Sequence, residues 1–342
     1  MTNDQRPTTI YVIAWLTICA LLVVGMVAVG GYTRLSGSGL SITEWKPIHG
    51  AIPPRSEAEW AEEFAKYRAI PQYAAVNPGM TLDEFKTIFW PEFLHRLLGR
   101  IIGIVFIVPL IFFWARGAIS HRQGFKFLAI FSLGGLQGFM GWYMVSSGLA
   151  TNVYVSHLRL ATHLTLALLL LGLIVWELCK VTGDRIKVTD KQAPDSCRLA
   201  PVTYLLWFAL LCLQILYGAL MAGLHAGLLY NTWPLMDGAI VPSGLSTAIF
   251  TDHTTVQFWH RILAFAVVFG FLSWWFFNRR YVKNLGVTKL AAGIALVIAL
   301  QFTLGVLTLV NAVQLELGMM HQMTAVLLFV LSVVMLHRLG KR

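Results

Sequence analysis

The feature that most constrains this chain is its division into apolar blocks of about 20 residues, the length a helix needs to cross a hydrocarbon core. Uninterrupted apolar stretches predict eight spans, at 11–30, 94–115, 125–145, 158–179, 202–222, 256–277, 288–310 and 319–338. With 57% hydrophobic and 12% charged residues the chain is too apolar for a soluble domain, so the predicted fold class is an all-α integral membrane protein. Collagenous, disordered and small disulfide-bonded classes are excluded. The net charge of +10 does not point to a nucleic-acid partner, because the 26 Lys and Arg are dispersed between the blocks and form no stripe. Sixteen of the 26 fall on the side shared by both termini, which places the termini in the cytoplasm by the positive-inside rule. No A-x-A cleavage site follows the first block and no Arg- and Ser-rich leader precedes it, which favours a bacterial inner membrane. The four cysteines form no C-x-x-C pair. Cys19 and Cys212 lie in apolar blocks and Cys179 and Cys197 flank a basic loop, so neither a cysteine metal site nor an outer disulfide is expected.

The long outer loop, 31–92, carries two capping boxes, Ser56-x-x-Glu59 and Thr81-x-x-Glu84, each opening a short run with apolar residues at helical spacing. Trp60, Phe64 and Tyr67 share a face in the first run, and Phe85, Ile88 and Phe89 do so in the second. Two short helices against the outer membrane surface are therefore predicted, as a cover for the bundle or a lid over a ligand.

The chain is also duplicated. WKPIHGAIPP (45–54) aligns with WPLMDGAIVP (233–242), and FLHRLLG (93–99) with FWHRILA (258–264). His95 thus matches His260, and Arg96 matches Arg261; His163 and His321 each sit in the fourth span of a half. The prediction is two pseudo-symmetric four-helix bundles, 1–195 and 196–342, inserted in parallel.

Ionisable residues inside a membrane are costly and mark function. His95, His163, His260 and His321 all fall within the first two turns of outside-to-inside helices, at one depth near the outer face. Two imidazoles on facing helices are what a six-coordinate b-type haem requires, whereas zinc would need further ligands that neither half supplies at helical spacing. His157 lies six residues before His163 and so on another face of the same helix. His121 and His337 read as ordinary interfacial residues, and His49, His225 and His253 as outer-loop residues. Arg96 and Arg261 either pair with haem propionates or snorkel to the interface. One position separates the halves: Glu92, three residues before His95, against Gln257, three before His260. Only the N-terminal half therefore offers a carboxylate to exchange protons or to stabilise positive charge on a reacting carbon.

On GGYTRLSGSGLSITEWKPIHGAIPP, EEFAKYRAIPQY, NPGMTLDEFKTIFWPEFLHRLLGR, RLATHL, VQFWHRILAF and HQMTAVLLF, the chain resembles haem A synthases over nearly its whole length, most closely the alphaproteobacterial and mitochondrial branch that lacks an outer-loop cysteine pair. The resemblance implies oxidation of the C8 methyl of haem O to a formyl group by successive hydroxylations, with oxygen from water, for assembly of terminal oxidases. It implies that His260 and His321 ligate a permanent haem b, that His95 and His163 hold the substrate haem, and that Glu92 is catalytic. Implied partners are haem O, its synthase and an electron acceptor, with a homo-oligomer compatible. The main alternative is a di-haem electron-transfer protein, against which the one-sided Glu92 argues. A repeat-built transporter would need helices broken at the midplane. GGLQGFMG (134–141) reads instead as a close-packing segment.

Overall fold

The computed structural model describes residues 5–46, 49–150, 152–183, 199–284 and 286–340. Cys197, Arg185, Lys187, Lys191, Arg198, Lys341 and Arg342 lie outside the described residues, as does the side chain of His49. Ten α-helices follow in order: α1 (Gln5–Leu35), α2 (Glu57–Arg68), α3 (Pro71–Val76), α4 (Leu82–Ala115), α5 (His121–Leu149), α6 (His157–Val181), α7 (Ala200–Gly223), α8 (His253–Asn284), α9 (Thr288–Val310) and α10 (Leu315–Leu339). Eight of them, all but α2 and α3, are long and apolar enough to cross a membrane.

Both predicted capping boxes form. Ser56 accepts from the Glu59 amide and Thr81 from the Glu84 amide, while each glutamate side chain accepts from its cap backbone. The second box does not open a separate surface helix. It starts α4, which runs unbroken for 34 residues into the membrane and continues through Pro91 and Pro109. At about 1.5 Å per residue such a helix is far longer than the hydrocarbon core is thick, so it extends beyond the core. The expected second surface helix is thus the head of a span, buried on the face that carries Phe85, Phe89 and Phe93, because the helix continues through Pro91 to His95. The short α3, opened by Pro71 at its first position, went unpredicted.

The chain divides into two compact units, Met1–Leu170 and Leu171–Arg342, with the division falling inside α6. In the first unit α4 packs against α1 and α5. Above it Phe64, Tyr67, Phe85, Phe89 and Phe93 form an aromatic cluster that seats α2 on the head of α4, with Trp60 edge-on to Phe89 at 4.8 Å between ring centroids. In the second unit α8 packs against α7 and α9, and α10 against α7 and α9, which closes a ring of four helices. Tyr204, Trp207, Phe271 and Trp274 fill one end of it. His337, expected at the interface, is instead buried edge-on against Trp176, 4.9 Å between centroids.

Charge ties α2 to the segment after α1. Lys66 lies 2.9 Å from Glu44, 2.7 Å from Glu62 and 3.1 Å from Glu63. Hydrogen bonds from Lys46 and then Lys66 hold the Glu44 carboxyl below the ordinary carboxylate range. A lowered folded-state value means that this stability is present above the unfolded carboxyl value and is lost as pH falls through the lowered one. Protection of the α2 amides from hydrogen exchange should therefore hold through mildly acidic pH and drop only below the usual carboxylate range. Lys66→Met should lower it at neutral pH by about 1 kcal/mol or less, since Glu44 is 43% exposed.

Candidate functional site

Each of the four repeat histidines has its ring against a glycine of the preceding span. A Cβ on Gly30 of α1 would lie 3.0 Å from His95 Nε2. Cβ atoms on Gly141 of α5, Gly218 of α7 and Gly305 of α9 would lie 2.9, 3.1 and 2.9 Å from Cε1 of His163, His260 and His321. These four glycines take no unusual backbone angle and are required by space alone. The rings sit deep among helices yet are not fully enclosed, which leaves an edge of each open to a ligand. His95 and His163 lie within electrostatic reach of one another in the first unit, and His260 and His321 in the second.

Three of the four rings also meet a glutamine one turn before the glycine. Gln137 Nε2 is 3.3 Å from His163 Nε2 and donates to the His163 carbonyl at 3.0 Å. Gln214 Nε2 is 3.5 Å from His260 Nε2, and Gln301 Nε2 is 3.3 Å from His321 Nε2. His321 Nδ1 faces the Gln301 carbonyl at 3.2 Å, the kind of contact that orients an imidazole, while the Gln301 amide stands at its other nitrogen. The recurring pattern is Q-x-x-x-G at 137–141, 214–218 and 301–305. At 26–30 it reads M-x-x-x-G, so His95 alone meets a methionine position, Met26, where the others meet an amide. The motif is present in the sequence, but its copy inside GGLQGFMG is indistinguishable there from a close-packing segment.

Beside the first pair, Glu92 is 2% exposed. Its Oε2 accepts from Ser41 Oγ at 2.8 Å and from the Ile42 amide at 2.9 Å, and its Oε1 from Arg96 Nη2 at 2.7 Å. Three donors and no acceptor are the complement of an ionised carboxylate. In the second unit Gln257 is fully buried and donates from Nε2 to the Tyr230 carbonyl at 2.9 Å. The two side chains address the same place in the repeat, the acid through an amide N–H and the amide through a carbonyl. Ser41 was not singled out from the sequence. Its signal lay in the alignment, which puts Leu229 at the matching position.

The paired arginines point to the loops that follow α1 and α7. Arg96 donates to the carbonyls of Ile42 and Glu44 at 2.6 and 2.9 Å, and Arg261 to those of Tyr230 and Thr232 at 2.8 and 2.9 Å. These acceptors are repeat-related, so both arginines clamp the same turn. Arg261 Nε is buried with no hydrogen-bond partner, one donor left for an anionic group. A cleft of about 390 Å³ opens beside Arg96, lined among others by Glu44, Arg100, Phe89 and Phe93. His157 opens α6 and is not seated on a glycine; His225 and His253 are exposed.

Comparison with known proteins matches residues 13–333 to the COX15-CtaA family model, described as cytochrome oxidase assembly protein. The chain belongs to this family. It is 44% identical over 337 residues to a protein of Nitrosomonas eutropha named heme A synthase, covering 96% of this chain and 92% of the relative. It is 43% identical over 333 residues to one of Rhodopseudomonas palustris strain HaA2 (95% and 89%), and 45% over 317 residues to one of Sinorhizobium medicae (90% and 84%), both of the same name.

The residues fit a haem in each COX15-CtaA unit. Each pair supplies two imidazoles, each seated on a glycine of the preceding span. The glycine seats leave no room for a side chain that would push the rings aside. Gly218→Ala and Gly305→Ala should therefore displace His260 and His321 and diminish the low-spin bis-imidazole absorbance of purified protein. Gly293→Ala, in α9 with nothing within 4 Å, should leave the spectrum unchanged.

Proposed function

We infer that this protein is a haem A synthase, an oxidoreductase that converts haem O to haem A for cytochrome oxidase assembly. Its membership of the family and its relatives' names support this reading over nearly the whole chain. The observation that carries it to particular residues is the asymmetry of a duplicated site: two imidazole pairs in matched seats, only one of them with a buried carboxylate. An electron-transfer protein with two permanent haems has no use for that difference.

In this reading His95 and His163 hold the iron of the substrate, haem O, in the N-terminal unit. His260 and His321 hold a permanent haem b, which supplies a one-electron redox centre. Taking the substrate's methyl carbon to the formyl level consumes one oxygen atom from water and releases four protons and four electrons, the electrons leaving for an external one- or two-electron acceptor. Positive charge that develops on that carbon is stabilised by Glu92, whose negative charge is kept in place by its three donors. Arg96 and Arg261 fix the turns beside the two sites, and the spare Nε of Arg261 is available to a propionate of haem b. Substrate arrives through association with the haem O synthase in the same membrane. The eight spans and the bias of basic residues support a bacterial inner membrane with both termini in the cytoplasm.

The deciding experiment is chromatographic analysis of pigments extracted from protein purified out of cells that make haem O. Haem B together with haem O, haem A or a hydroxylated intermediate is expected; haem B alone, at two per chain, would support electron transfer. His260→Ala or His321→Ala should abolish the low-spin spectrum of the permanent haem, and its retention would remove that assignment. Glu92→Gln should leave haem content nearly intact and lower conversion of haem O by about a hundredfold or more, as loss of a catalytic charge does.

A further inference from the structure

The turns after α1 and α7 begin alike and differ in chemistry. Helix α1 ends at Leu35 and α7 at the aligned Gly223, and the aligned Gly37 and His225 both take left-handed φ, 70° and 54°. In this register Thr33, Ser38 and Ser41 of the first turn stand where the second has Met221, Ala226 and Leu229. All three hydroxyl residues are buried, and a buried hydroxyl is costly unless it is bonded. Thr33 and Ser38 make their shortest bonds locally: Thr33 Oγ1 donates to the Val29 carbonyl at 2.8 Å, with the Pro91 carbonyl of α4 farther off at 3.3 Å, and Ser38 Oγ lies 2.8 Å from Ser36 Oγ.

Ser41 reaches out of the turn. Its Oγ is 2.8 Å from Glu92 Oε2 and 3.1 Å from the Ile88 carbonyl. A hydroxyl has one hydrogen to give, and the closer, charged acceptor takes it. We propose that Ser41 is a positioning residue for Glu92. With the Ile42 amide it pins one carboxylate oxygen while Arg96 holds the other, so the acid is fixed in one orientation and is not free to rotate as a proton carrier. The second unit has no such device: Gln257 hangs on the Tyr230 carbonyl, and the aligned Leu229 is an exposed aliphatic residue. The catalytic half is thus set apart by a pair, Ser41 with Glu92, and not by the acid alone. This rests on the role assigned to Glu92 above, and its test is read on the carboxylate itself.

The test uses full-length protein in nanodiscs, with carbon-13-labelled glutamate and infrared difference spectroscopy. The Glu92 carboxylate band is identified by its disappearance in Glu92→Gln. Ser41→Ala should displace that band and slow haem O conversion about tenfold or more, as loss of one hydrogen bond to a charged group does. Ser41→Thr, which keeps the hydroxyl, should restore both, and the haem B content of all variants should match wild type. An undisplaced band in Ser41→Ala would overturn the proposal, and so would Ser41→Thr failing as fully as Ser41→Ala. Should Glu92→Gln convert haem O normally, the role of Glu92 falls, while the band in Ser41→Ala still decides whether the serine holds it.

Discussion

An imidazole in a membrane-spanning helix is costly unless its ring is received by something shaped for it. In this protein the receiver is a glycine on the preceding span, used four times, with the ring close enough that a single added carbon would collide with it. That contact sets the separation of each helix pair and, through it, the place of everything nearby: the glutamine one turn earlier, the arginine beside the histidine, and the loop the arginine clamps. Glycine in a helix costs roughly 1 kcal/mol relative to alanine, so retaining it at four matched positions reflects the space the ring needs.

On this common frame the two units diverge at a few side chains. Met26 stands where the second unit has Gln214, Glu92 where it has Gln257, and Ser41 where it has Leu229. All three differences lie on α1, on the turn after it or on the first half of α4. His163, His260 and His321 keep an amide contact. The C-terminal unit has the neutral Gln257 at the position of Glu92 and a closed ring of packed helices. The N-terminal unit keeps a charged group under three donors and a cleft at its outer face.

Much of this was legible in the sequence, for identifiable reasons. Apolar runs report spans directly, because a bilayer allows few alternatives to a long helix. The caps at Ser56 and Thr81 were readable because their hydrogen bonds are local. The four histidines stood out because charge inside apolar blocks is rare. What was missed is what depends on partners far apart in the chain. The continuity of α4 from Thr81 past His95 followed from packing of Phe85, Phe89 and Phe93 under α2, which no local rule reports. The bond from Ser41 to Glu92 spans fifty-one residues. Arg96 and Arg261, read as partners for propionates or for the interface, each donate to loop carbonyls whose positions only the folded chain reveals. His337 was misjudged because depth was counted along the helix, and the Trp176 ring that covers it comes from another.

The glycine seats also bear on how the chain is made. Every seat pairs a histidine with the span immediately before it, so each is complete as soon as two consecutive spans have entered the bilayer. None waits for the far end of the polypeptide. A ribosome still translating α7 has already delivered the seats of His95 and His163, and a break in synthesis after α6 would leave a fragment with both of its imidazoles received. Assembly can thus proceed hairpin by hairpin during insertion, and no histidine ring need wait in lipid for a partner that has yet to be synthesised.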